Sequence, residues 1–158
     1  MMEPSFEKLL VLLVEAGVRF VVVGGIAVTL QGYVRLTEDI DLLLDGEPSN
    51  IRRFLDLMAG YGEGFARELS PDDFGDEEGA IRIVEETEQC QVDIFTRMSG
   101  RRYEDVIVDV DTFEVRGKFV AIASKLSLIG WKEKSVREKD RLDAMALRRL
   151  IDDPRAFD

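Results

Sequence analysis

A chain of 158 residues with 46% apolar and 34% charged side chains can bury one real core but is short for two. It has no histidine, which removes every mechanism built on a histidine base, nucleophile or metal ligand. A net charge of −11 disfavours nonspecific nucleic-acid binding, and the lone Cys90 excludes an internal disulfide framework.

Phe6, Leu9, Leu10, Leu13 and Val14 recur at helical spacing between a capping Ser5 and Gly17, which predicts a helix over 5–16. Residues 18–23 read as a buried strand that runs into Gly24-Gly25 and a second helix, stopped by Gly32. Residues 39–44 read as the next strand. Ile51, Phe54, Leu55 and Met58 give the apolar face of a third helix closed by Gly60. The stretch 61–79, rich in Gly and in Asp72, Asp73, Asp76, Glu77 and Glu78, reads as a solvated loop or lid. Residues 80–84 and 91–95 form a hairpin around Glu85 to Gln89. Segments 106–110, 112–115 and 119–122 alternate as strands do. From Ser124 the pattern is helical again, with Leu126, Leu128, Ile129 and Trp131, then a stripe of Leu142, Met145, Ala146 and Leu150. Alternating elements followed by clustered strands imply a single domain over 1–158. Its class is α/β (α+β), a mixed sheet with packed helices, including C-terminal helices from about 124.

No apolar run approaches the ~20 residues of a membrane helix. The acidic start Met1-Met2-Glu3-Pro4 lacks the basic segment of a secretory signal, so cytoplasmic residence is expected.

The chemistry concentrates in one block. Gly24 and Gly25 end an apolar strand, and Asp39 and Asp41 follow at i and i+2 in another, so both carboxylates point to one face. Two acids beside a glycine turn are a way to hold Mg²⁺ and a nucleoside triphosphate (NTP) together, because Mg²⁺ takes oxygen ligands and binds through one or two carboxylates plus phosphate. The glycines let the backbone approach phosphate, and the helix after them offers free N–H groups. The basic stretch Lys132, Lys134, Arg137, Lys139, Arg141 is interleaved with acids and reads as a solvated face, with an acceptor-binding groove as the second reading. Asp140 and Asp143 are expected to pair with Arg137 and Lys139. Cys90 has no cationic neighbour and reads as an unreactive thiol; Trp131 is expected to pack on the core.

Gly24-Gly25, Ala27, Gly32, Arg35, Thr37 and Asp39-Ile40-Asp41 together resemble the signature of the nucleotidyltransferase superfamily related to DNA polymerase β. The form is similar to a small bacterial branch that includes abortive-infection toxin-type and lincosamide nucleotidyltransferases. Lys125, Leu126, Arg137, Lys139, Asp140, Asp143 and Leu147 resemble the tail of the toxin-like members, whose second glycine is often a serine where this chain has Gly25. The resemblance implies a third carboxylate on a later strand, for which Asp93 is the candidate. It implies that Asp39, Asp41 and Asp93 are the catalytic, metal-binding set. Gly24, Gly25, Arg35, Thr37 and Lys125 then contact the nucleotide. The implied activity is Mg²⁺-dependent transfer of a nucleoside monophosphate from an NTP to a hydroxyl of a tRNA, a protein or a small molecule, releasing pyrophosphate. A toxin of a toxin–antitoxin pair belongs to the same reading. The rival is an inactive member of the fold that binds a nucleotide or a partner, since so short a chain leaves an antitoxin or a second copy to supply further surface.

Overall fold

The computed structural model describes residues 2–158. The elements run α1 (Pro4–Glu15), β1 (Phe20–Val23), α2 (Gly24–Leu30), β2 (Ile40–Leu44), α3 (Pro48–Ala59), β3 (Ile81–Glu85), β4 (Cys90–Phe95), α4 (Tyr103–Val106), β5 (Val110–Val115), β6 (Lys118–Ala123), α5 (Lys125–Glu133) and α6 (Glu138–Asp152). The strands make one mixed sheet in the order β3-β4-β2-β1-β6-β5. β1 is antiparallel to β2 and parallel to β6; β4 is parallel to β2 and antiparallel to β3. This is the mixed α/β architecture the sequence implies.

The two central strands explain the layering. Every residue of β1 is buried, and so is all of β2 except Asp41. Strands buried on both faces need helices on both, and they read as continuous apolar runs rather than alternating ones. α2 crosses β1 and β2, α5 pairs with α6 and touches α2, and α1 packs along β6 and β5. Val21, Val22, Leu42, Leu43, Leu44 and Ile94 sit at the centre, each at most 1% exposed. Among the described residues no helix is long and apolar enough to cross a membrane.

Three expectations need correction or refinement. Residues 106–109 are not a strand, and Val110 already belongs to β5. Asp105 accepts the Arg102 backbone N–H at 3.0 Å, which starts the short α4, and Val106 is its buried anchor. The stretch 61–79 is largely exposed irregular chain, as expected, but it is anchored at several points. It contains two short 3₁₀ turns, Phe65–Glu68 and Pro71–Asp73. The fully buried Glu85 carboxylate accepts the backbone N–H groups of Glu63 (2.8 Å) and Phe65 (3.1 Å), while Ala66 and Phe74 enter the core. Its far end is tied by Thr96 Oγ1 donating to the Gly75 carbonyl at 2.7 Å. Finally, Leu142 and Met145 of α6 are 50% and 67% exposed, because Asp140, Asp143, Ala144, Leu147 and Leu150 take the inward face.

Candidate active site

Strand register builds the site. Val23, the last residue of β1, faces Asp41 on β2; Asp41 faces Asp93 on β4; Asp93 faces Arg82 on β3. Four adjacent strands thus carry one row, at the spacing of about 4.8 Å between neighbours. Asp39 lies just ahead of β2, two residues from Asp41 and on its side. One carboxylate oxygen from each of Asp39, Asp41 and Asp93 lies within 4.8 Å of the others. The three acids named from sequence are therefore brought together.

Three crowded carboxylates disturb one another. Burial, then repulsion from Asp39 and Asp93, pushes the Asp41 carboxyl up to about 7. Asp39 is raised by burial and by its contact with Asp93. For Asp93, burial acts upward but is outweighed by Arg82, so the group stays below the usual carboxylate range. Arg82 Nε lies 2.8 Å from Asp93 Oδ1, and its Nη2 lies 3.1 Å from Asp93 Oδ2 and 3.8 Å from Asp39 Oδ2. Such a set of hard oxygens on fixed strands suits a hard divalent cation.

The two glycines have separate reasons. Gly24 has φ +68°, and a Cβ there would meet Asp41 Oδ2 at 1.9 Å. The residue is thus the recess into which the carboxylate fits. Gly24→Ala is expected to cost about 1–3 kcal/mol through backbone strain and to turn Asp41 out of the cluster. A lower melting temperature, read by calorimetry, checks this. At Gly25 a Cβ would lie 2.5 Å from Thr37 Cγ2 and 3.0 Å from Arg35 Nη2. A serine at this point would require the Thr37 and Arg35 side chains to shift.

The cluster lines a cleft of about 660 Å³, with Gly25, Arg35, Thr37, Arg82, Lys132 and Lys139 among its walls. Arg35 is held by Asp143 at 2.9 Å, and Asp143 also takes Lys132 at 3.0 Å. Lys132 spans to Asp140 at 2.9 Å, which binds Ser135 Oγ at 2.6 Å and Arg137 Nε at 2.9 Å. The pairing expected between Asp143 and Lys139 is absent. Asp143 is 1% exposed and faces inward, beyond reach of a surface neighbour. Asp140 pairs with Arg137 as expected and with Lys132 besides; these partners outweigh its burial and hold its carboxyl well below the usual range.

The basic stretch is thus more than a solvated face, since Lys132, Arg137 and Lys139 all reach the cleft. Lys125 stands in the first turn of α5 and is not part of the cleft lining. α2 is only seven residues long, so the cations of the cleft, rather than a long helix, supply its positive field. Cys90 is buried, with its thiol pushed up by that burial, as an inert cysteine should be. Trp131 packs against the core and donates to the Met98 carbonyl at 3.3 Å. Arg82 went unnoticed in the sequence as a site residue, and Lys132 was read first as part of a solvated face. The signal for Arg82 was present: a hairpin closed around Glu86 to Gln89 sets residue 82 opposite residue 93.

Comparison with known proteins places the fold and the family. The fold is that of the nucleotidyltransferases. It matches the lincomycin-bound lincosamide antibiotic adenylyltransferase LnuA with TM-score 0.63 at 17% identity, over 94% of this chain and 97% of that one. It also matches an antigenic nucleotidyltransferase-like protein from Paracoccidioides brasiliensis, with TM-score 0.56 at 14% identity, over 91% of this chain and 73% of that one. Residues 4–157 match the model of a family described as "Nucleotidyl transferase of unknown function (DUF2204)", and the chain belongs to that family. Among curated proteins none matches the chain.

Proposed function

We propose that this protein is an active nucleotidyltransferase that moves a nucleoside monophosphate from an NTP to a hydroxyl group of a small molecule. The observation that carries the reading is the convergence of Asp39, Asp41 and Asp93 within 4.8 Å beside the Gly24 recess. These residues would hold Mg²⁺, and the ion would supply Lewis-acid stabilisation of charge on the reacting phosphate.

The chain's own groups do the rest. The backbone at Gly25 allows close approach of phosphate, and Arg35, Lys132, Arg137 and Lys139 offer charge to the triphosphate. The acceptor oxygen bonds to the α-phosphorus, the bond from that phosphorus to the bridging oxygen breaks, and pyrophosphate leaves. The hydroxyl proton passes to a carboxylate of the cluster.

Two observations favour a small acceptor over tRNA or protein. The net charge is −11, which works against a polyanionic partner. The lincomycin-bound adenylyltransferase is spanned over 97% of its length, so a chain of this size has room for a small acceptor without a further domain. The test is incubation with each labelled NTP, Mg²⁺ and a metabolite extract or antibiotic panel, read by mass spectrometry and pyrophosphate release. Label on a small hydroxyl compound is the expected result. Label on tRNA or protein would move the acceptor class, and nucleotide binding without any pyrophosphate release would favour a non-catalytic role.

A further inference from the structure

Arg82 sits in the gap between two of the three clustered carboxylates. Its Nη2 is 3.1 Å from Asp93 Oδ2 and 3.8 Å from Asp39 Oδ2, and its Nε holds the other Asp93 oxygen at 2.8 Å. Among the described residues it is the one cation in salt-bridge range of the cluster. A divalent ion needs those same oxygen lone pairs at about 2.1 Å, so ion and guanidinium compete for one place. The arginine is also built to leave. It stands on the edge strand β3 with its side chain 59% exposed, whereas the Asp93 side chain is 9% exposed. Water can take over a guanidinium at the surface at little cost, while the buried acid must find another cation.

We infer that Arg82 is an internal stand-in for the metal: it keeps the empty acidic cluster neutralised, is displaced when a divalent ion loads, and then turns its guanidinium to the triphosphate in the same cleft. The inference rests on the metal-binding role proposed above for the three aspartates. Once released, Arg82 remains on the cleft wall with Arg35, Lys132 and Lys139, as a planar donor fork suited to phosphate. Metal and nucleotide then favour each other, because either one draws Arg82 away from the position it holds alone. Such coupling is reciprocal.

The experiment is a titration of the full chain with Mn²⁺, a paramagnetic substitute for Mg²⁺, followed by electron paramagnetic resonance. It is run at pH 8 and fixed ionic strength, with and without a non-hydrolysable ATP analogue. Wild type, Arg82→Ala and Arg82→Lys are compared with an Asp39→Asn baseline. Arg82→Ala is expected to bind Mn²⁺ alone about five- to tenfold more tightly than wild type, the scale of one charge-assisted pair. Arg82→Lys, which keeps the charge but loses the fork, is expected to fall between. The analogue is expected to tighten Mn²⁺ binding in wild type by a larger factor than in Arg82→Ala. Equal or weaker Mn²⁺ binding by Arg82→Ala overturns the displacement and leaves the metal site standing. Tighter Mn²⁺ binding with undiminished coupling overturns the turn toward phosphate. No Mn²⁺ binding above the Asp39→Asn baseline in any variant overturns the metal site itself, and the inference with it.

Discussion

Asp41→Asn is expected to abolish nucleotidyl transfer and, in the same protein, to raise the melting temperature of the metal-free state at pH 8. The two effects share a cause. The folded protein holds the Asp41 carboxyl at about 7, through burial and through Asp39 and Asp93, whereas the unfolded chain releases that proton near the ordinary aspartate value. From about pH 4 to pH 7 the unfolded state is therefore the more ionised, and each rise in pH costs the native state. Above pH 7 the penalty is complete and constant. It is on the order of 2–4 kcal/mol, and an asparagine of the same shape does not carry it. Calorimetry is expected to show the variant melting about 5–10 °C higher than wild type at pH 8, with the gap closing toward pH 4. Mg²⁺ should raise the melting temperature of wild type and leave that of the variant nearly unchanged. Turnover, read as pyrophosphate release, should fall by at least about a thousandfold, since the carboxylate proposed to hold the ion is gone. A variant that melts no higher than wild type at pH 8 would show that the three acids are not in mutual conflict.

The same conflict explains why the acidic cluster was legible before the fold was. Asp39 and Asp41 are consecutive same-face positions running into Leu42-Leu43-Leu44, and a glycine pair stands in front of them. Polar groups set into a buried run are costly unless a partner compensates, so such acids announce themselves in sequence. Asp93 was found through the family resemblance, which implies a third carboxylate on a later strand, and its place between Val92 and Ile94 made it the candidate. The groups that answer the acids were not. Arg82 lies in an alternating strand whose exposed arginine is ordinary; only the hairpin register makes it a neighbour of Asp93. Lys132 and Asp143 looked like members of a charged helical surface, for which partners one turn away are the natural guess.

α6 shows the limit most clearly. Apolar periodicity selected Leu142 and Met145, yet the helix turns Asp140 and Asp143 inward to meet Lys132 and Arg35 from other elements. Period alone cannot identify an inward face that is partly ionic. The boundaries of β1, α2, β2 and β4 suffered less, because a central strand covered on both sides leaves little choice of face.

That inward ionic face gives the second large effect. Asp143→Ala is expected to destabilise the protein more than any single change among the cations it binds. Its carboxylate is 1% exposed, accepts from Arg35 at 2.9 Å and forms an ion pair with Lys132 at 3.0 Å, the two cationic side chains being 16% and 12% exposed. Removing the acid leaves two poorly solvated cations facing each other, at a cost of about 3–5 kcal/mol. Removing Lys132 leaves much less unpaired, because Asp143 keeps Arg35 while Asp140 keeps Ser135 and Arg137. Thermal unfolding should therefore rank Asp143→Ala well below Lys132→Ala, with a fall of about 6–12 °C for the first. The site should respond in a matching way. Arg35 and Thr37 line the same cleft as the acidic cluster, and Asp143 is the side chain that anchors Arg35 to α6. Asp143→Ala is expected to raise KM for the NTP by about tenfold while leaving Mn²⁺ binding to Asp39, Asp41 and Asp93 intact. Loss of Mn²⁺ binding in a variant that still unfolds cooperatively would mean that the ionic wall and the acidic row are a single unit rather than two.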